Sequence, residues 1–101
     1  MKVLLVCNAG MSTSMLVQKM EQAAEAEGVE LEIAAKAVSV AEKEVDDWDV
    51  VMLGPQVRHQ IKKLQDATDH TPIAVIDMRD YGTMNGANVL KAAMKIVEEN
   101  K

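Results

Sequence analysis

The sequence predicts an α/β fold: a single three-layer domain in which a mostly parallel, four-stranded sheet carries helices on both faces. Three observations lead there. Short apolar runs alternate along the chain with longer stretches of helical periodicity, the pattern of successive βα units. Two of those runs, Val3-Leu4-Leu5-Val6 and Val50-Val51-Met52-Leu53, are apolar without a break, as strands buried on both faces are. The chain has 101 residues, 49% of them apolar and 27% charged, enough for one domain (residues 1–101) with one core and too short for two.

The first strand is Val3–Val6, ended by Cys7 and the turn-forming Asn8-Ala9-Gly10. A helix follows from about Ser14 to Glu27, with Leu16, Met20, Ala23 and Ala24 at helical spacing, and Gly28 supplies its stop. Val29, Leu31 and Ile33 alternate with Glu30 and Glu32, which reads as a half-exposed edge strand. Between Ala34 and Asp47 the signal is weakest. A short helix fits around Val38–Glu44, with Ser39 as cap and Glu42 as its reciprocal partner. Asp49–Leu53 is the next buried strand, stopped by Gly54-Pro55. Gln56–Ala67 then reads as a helix with Val57, Ile61 and Leu64 on one face. Pro72–Ile76 is the last strand. A loop from Asp77 to Gly86 leads to a final helix whose inward face is Val89, Leu90, Ala93, Met94 and Val97.

This order, β-α-β-(short α)-β-α-β-α, has right-handed crossovers that bring the C-terminal ends of the strands to one edge. Open α/β sheets bind their ligands at that edge. The loops after Val6, Leu53 and Ile76 are therefore expected to converge.

Composition removes several classes of function. The net charge is −5, and no Lys/Arg cluster is dense enough to track a nucleic-acid backbone. The single cysteine excludes an internal disulfide and a multi-cysteine metal site, and it suits a reducing compartment. Val3–Cys7 is too short an apolar run for a signal sequence, and nothing is long enough to span a bilayer, so a cytoplasmic protein is expected. Phe is absent and Met occurs 8 times, which predicts an aliphatic core rich in thioethers, with any exposed Met available as an adaptable docking surface.

The chemistry concentrates in Cys7-Asn8-Ala9-Gly10-Met11-Ser12-Thr13-Ser14, a loop from a buried strand into a helix. Gly10 permits a sharp turn and close approach to a bound group. The unpaired N–H groups of the loop and first helical turn make an anion site, and the hydroxyls of Ser12, Thr13 and Ser14 can cap the helix or donate to phosphate oxygens. A thiol of pKa about 8.5 is only a few per cent ionised at neutral pH, and a helix N-terminus favours the thiolate. One site would then serve both attack on a phosphoryl group and its storage. The bland reading is a small hydrophobe at the end of a buried strand. A purely structural turn needs neither that length nor three hydroxyls. The loop lacks the G-x-x-x-x-G-K pattern of a Walker A motif and the three glycines of a dinucleotide fingerprint.

Low-molecular-weight tyrosine phosphatases also place a cysteine after the first strand, in a C-x5-R-[ST] loop. Here the arginine position is Thr13, followed by Ser14. Without the guanidinium the bidentate clamp on the phosphoryl oxygens is lost, at several kcal/mol of transition-state stabilisation. A hydrolase of that kind is the second reading, and a non-catalytic anion-binding module the third.

Cys7 through Leu16, CNAGMSTSML, closely resembles the active loop of the IIB components of the bacterial sugar phosphotransferase system, lactose/cellobiose class. The resemblance continues through Gly54-Pro55-Gln56-Val57-Arg58 and Asp80-Tyr81-Gly82-Thr83-Met84-Asn85-Gly86 and spans nearly the whole chain. It implies a four-stranded parallel sheet and a phosphoryl carrier. The cysteine accepts phosphate from a phosphohistidine on a IIA partner and passes it to a sugar held by a membrane-embedded IIC partner. Carried over by position, Cys7 is the phosphoacceptor and Asn8, Ala9, Gly10, Met11, Ser12, Thr13 and Ser14 form the phosphate cradle. Gly54, Pro55, Gln56, Val57, Tyr81, Gly82, Met84 and Gly86 border it. Neither cofactor nor metal is implied, and a monomer meeting its partners transiently suits a carrier.

The missing arginine fits that role, since a carrier must not activate water against its own cargo. Asp77 and Asp80 are expected to be capping or loop residues, because a carboxylate beside a thiophosphate would repel it. His59 is a rival phosphoacceptor, although a surface histidine is usually only solvated. His70 precedes a strand and is expected at the opposite edge. Arg58 and Lys62 read as a solvated face and Trp48 as packing.

Overall fold

The chain enters the sheet at its centre. Strand β1 (Lys2–Cys7) pairs in parallel with β2 (Glu32–Ala37) on one side and with β3 (Val50–Leu53) on the other. Strand β4 (Ile73–Val75) pairs with β3, so the order is β2-β1-β3-β4, all parallel. The computed structural model describes residues 1–7 and 13–100. Its helices are α1 (Thr13–Glu27), α2 (Val38–Glu44), α3 (Ile61–Gln65), α4 (Met78–Gly82) and α5 (Gly86–Glu99), with 3₁₀ turns at Val45–Asp47 and Pro55–Gln60.

The unbroken apolar runs divide by alternation into two cores. Val3, Leu5, Val50 and Met52 face Leu16 and Met20 of α1 and Val89, Leu90 and Ala93 of α5. Leu4, Val6, Val51 and Leu53 face Ala41, Val45, Val57 and Leu64 on the other side. Each fully buried Leu, Val or Met contributes about 1.5–3 kcal/mol relative to exposure, so the central strands β1 and β3 anchor both layers. The radius of gyration, 12.1 Å, is that of one compact unit of this length, for which about 13 Å is typical. No described helix is long and apolar enough to cross a membrane.

Gly28 stops α1 as expected. It has φ +70, and its N–H donates to Glu25 O at 3.2 Å while Val29 N–H donates to Ala24 O at 2.8 Å. This is the paired closure of a left-handed helix end.

Several boundaries differ from the sequence expectation, each for a physical reason. The alternation begun at Val29 is real, since Val29, Leu31, Ile33 and Ala35 all pack against the first core. The ladder, however, begins only where Glu32 meets Lys2 and runs on to Ala37 opposite Cys7. Alanines carry little strand signal, and that concealed its second half. Ala37 leads directly into α2, which starts at Val38 without a side-chain cap, so Ser39 does not cap it. Glu42 instead pairs with Lys63 at 3.4 Å. The helix expected over Gln56–Ala67 is broken: Val57 has φ −116 and ψ 18, leaving a 3₁₀ turn followed by the short α3. The expected face survives the break, with Val57 and Leu64 buried and Ile61 packed against them. The expected Asp77–Gly86 loop contains α4. Met94 is exposed rather than inward, and so are Met15 and Met78, while Met20 and Met52 are buried. The methionines are thus shared between core and surface.

Candidate functional site

In a parallel sheet all strand C-termini share an edge, and here the backbone ties them together. Gly54 N–H donates to Val6 O at 2.8 Å, and Ile76 N–H donates to Leu53 O at 2.8 Å. Cys7 closes β1 at this edge, 2% exposed and in no disulfide. The alternation of β1 puts it on the same face as Val3 and Leu5, towards α1 and α5.

The cradle expected of Asn8, Ala9, Gly10, Met11 and Ser12 lies outside the described residues. Thr13 and Ser14 form the start of the 15-residue α1, whose first turn holds no acidic residue. Its N-terminal N–H groups and positive dipole end therefore meet no competing carboxylate of their own helix at the edge where Cys7 ends its strand.

The loops after β3 and β4 do converge on this point. A Cβ on Gly54 would stand 2.9 Å from Gln56 Oε1, 3.5 Å from Tyr81 Cε1 and 3.5 Å from Val6 O. Gln56 Nε2 donates to Tyr81 Oη at 3.2 Å. Gly54, Gln56 and Tyr81 thus meet beside the peptide that leads into Cys7. Pro55 opens the 3₁₀ turn that carries Gln56. Tyr81 is 7% exposed and its ring belongs to the first core, so a residue rooted in packing brings a hydroxyl to the edge.

Other expected border residues have different surroundings. Val57 is fully buried in the second core. Gly86 is required by helix packing: a Cβ there would collide with the Lys19 carbonyl group, whose oxygen would lie 2.6 Å away. Met84 has φ 52, a left-handed conformation uncommon outside glycine, and packs against the first core. Gly82 ends α4 with open space around it.

The acidic residues near this edge are engaged structurally. Asp77 caps α4, its Oδ1 accepting from the N–H groups of Arg79 at 2.9 Å and Asp80 at 3.1 Å. Asp80 Oδ1 accepts from Asn88 Nδ2 at 3.1 Å. Asn85 caps α5 through Asn88 N–H. His59, Arg58, Lys62 and Arg79 are exposed. Trp48 packs against the second core with Lys2 Nζ 5.3 Å from its ring centroid. Among the described residues no group of three His, Cys, Asp or Glu side chains could hold a metal ion.

His70 lies at the opposite edge, in the turn before β4. Its Nδ1 is 3.1 Å from Asp69 Oδ1, and its Nε2 is 3.8 Å from Asp46 Oδ1. The hydrogen bond with Asp69 is the main cause holding the imidazole above its usual value, and the same bond holds the Asp69 carboxyl below its own. Sequence reasoning missed the Gln56–Tyr81 bond. Each residue was singled out, but no sequence signal couples side chains 25 positions apart.

Residues 2–92 match the family described as "PTS system, Lactose/Cellobiose specific IIB subunit". The chain is 37% identical over 98 residues to the PTS system oligo-beta-mannoside-specific EIIB component of Bacillus subtilis, covering 95% of each. It is 39% identical over 107 residues to the galactose-specific EIIB component of Lactococcus lactis, covering 94% of each. Among solved structures, the cellobiose-specific phosphotransferase IIB component protein from Borrelia burgdorferi matches with a TM-score of 0.83 and 44% identity, over all of this chain and 94% of that one. The lactose-specific IIB component domain from Streptococcus pneumoniae, at 17% identity and a TM-score of 0.84 over 95% of this chain and 96% of that one, shares the fold.

Proposed function

This chain belongs to the lactose/cellobiose-specific IIB family of the sugar phosphotransferase system, and from that premise we propose that Cys7 carries the phosphoryl group between a IIA donor and a sugar bound by a membrane IIC partner. The observation that carries the reading is the placement of Cys7: the last residue of the central strand, at the edge where the post-β3 and post-β4 segments meet. In the first transfer the Cys7 thiolate attacks phosphorus. The S–P bond forms as the N–P bond of the donor's phosphohistidine breaks, and the imidazole nitrogen keeps the bonding pair. In the second, a sugar hydroxyl attacks phosphorus, the S–P bond breaks, the thiolate returns, and the hydroxyl proton passes to a base of the membrane partner.

A buried sulfur that is to take part in phosphoryl transfer needs hydrogen-bond donors around it. Main-chain amides from Asn8 to Ser14, at the dipole end of α1, would meet that need and hold the phosphate dianion in turn. Thr13 in place of an arginine keeps the phosphoryl group from being activated towards water. Residues 1–101 act as one IIB domain, a monomer on the cytoplasmic side that reaches the membrane through IIC, and the choice of sugar falls to that partner.

Two experiments test this. Membranes bearing IIC, given phosphorylated IIA and this protein, should phosphorylate sugar, and Cys7→Ser should abolish it; sugar phosphate formed at an undiminished rate by Cys7→Ser would sink the reading. Turnover of para-nitrophenyl phosphate dependent on Cys7 would favour a hydrolase instead.

A further inference from the structure

Tyr81 and Gln56 reach the catalytic edge from different parts of the fold. Tyr81 is fixed from below, its ring in the first core and its helix α4 held by the Asp77 cap. Gln56 is exposed and sits just before the kink at Val57. Packing does not dictate where an exposed glutamine lies. Even so, its carboxamide spans the gap to Tyr81 Oη at 3.2 Å and leaves its oxygen over Gly54. Gly54 is the residue whose N–H holds Val6 O at 2.8 Å, one peptide before Cys7. A Cβ on Gly54 would stand 2.9 Å from Gln56 Oε1, so the carboxamide lies where it does because this position has no side chain.

We propose that Gln56 and Tyr81 form a clasp that joins the post-β3 and post-β4 segments over Gly54 and thereby positions Cys7 for phosphoryl transfer. Both are positioning residues, and the inference rests on the role of Cys7 proposed above. The clasp is built from uncharged groups, so it fixes the rim of an anion site without adding a carboxylate that would repel phosphate or a cation that would retain it.

The test uses the full chain and three variants: Tyr81→Phe, which keeps the ring in the core, Gln56→Ala, which changes an exposed side chain, and the double variant. Single-turnover transfer from the phosphorylated IIA donor to Cys7 is timed alongside thermal melts. Each single variant is expected to slow transfer about fivefold, the scale of one neutral hydrogen bond, with a near-native melting temperature. The double variant is expected to be no slower than either single, because the second substitution has nothing left to break. The pH profile of Cys7 alkylation by iodoacetamide should shift equally in all three. Wild-type rates in both single variants, or slowing that multiplies to about twenty-five-fold in the double, would overturn the clasp while leaving Cys7 as carrier. If the wild-type chain accepts no phosphoryl group, the carrier reading falls, and the alkylation profile decides the clasp alone: equal shifts support it and unchanged profiles overturn it.

Discussion

The two edges of the sheet are built from different chemistry. At the C-terminal edge the groups that meet around Gly54, beside the peptide leading into Cys7, are uncharged: the Gly54 N–H, the Gln56 carboxamide and the Tyr81 hydroxyl. At the N-terminal edge the contacts are ionic. Lys2 pairs with Glu32 at 3.7 Å, and its N–H donates to Asp49 Oδ2 at 2.8 Å. His70 stands between Asp69 and Asp46, and Thr68 Oγ1 donates to Asp46 Oδ1 at 2.6 Å. Exposed ion pairs contribute little, and salt weakens them further. Held uncharged donors keep their directions and leave an incoming dianion unopposed. The difference teaches where each kind of interaction belongs: screened charges where only the fold is at stake, fixed neutral groups at the edge proposed to receive an anion and release it.

Substitutions can break or sharpen that contrast. The largest stability effect is expected at Gly86, where an added Cβ meets Lys19 backbone. Gly86→Ala should cost about 2–3 kcal/mol, read as a melting temperature lowered by about 10 °C or more. A near-native melt would mean that the approach of α5 to α1 is looser than described. Asp77→Ala should cost about 1 kcal/mol through the lost cap and leave the rate of phosphoryl transfer near wild type. A transfer rate reduced by orders of magnitude would instead place an acid in the chemistry and erase the contrast. Gly28→Ala, forcing a side chain into φ +70, should cost about 1 kcal/mol, read from a lowered denaturant midpoint, and leave transfer untouched.

The smallest effect belongs to His70. Because Asp69, and less strongly Asp46, raise the folded-state value of the imidazole, its protonated form stabilises the fold. That contribution is complete below the ordinary value of about 6.5 and is lost as pH rises through the raised one. The melting temperature of wild type minus that of His70→Gln should be larger at about pH 5.5 than at about pH 8, and a difference independent of pH would deny the ion pair. Transfer by His70→Gln should match wild type.

Much of the architecture was legible in the residues. Val3–Val6 and Val50–Leu53 declared themselves as strands buried on both faces, because every position in them is apolar. Gly28 and Gly54-Pro55 marked their stops through backbone preferences that act locally. What escaped was set by tertiary context. Ala34, Ala35 and Ala37 join β2 only because β1 lies alongside. The break at Val57 has no Gly or Pro at the break itself to announce it. Asp77 is a cap residue of the expected kind, with Asp80 three positions on, and that pair is the local signal of α4 within the expected loop. Cys7 was legible as the end of its strand, and the role given to it here is the one proposed above. Gly86 read as a loop residue until the packing of α5 on α1 explained it, and the Gln56–Tyr81 bond depends on two loops meeting in space.

The central claim is tested most directly by the mass of the protein after brief exposure to the phosphorylated IIA donor, with the modified peptide then located. The account predicts the addition of one phosphoryl group, carried on the sulfur of Cys7, and no addition in Cys7→Ser. A phosphoryl group found on His59, or gained equally by Cys7→Ser, would contradict it.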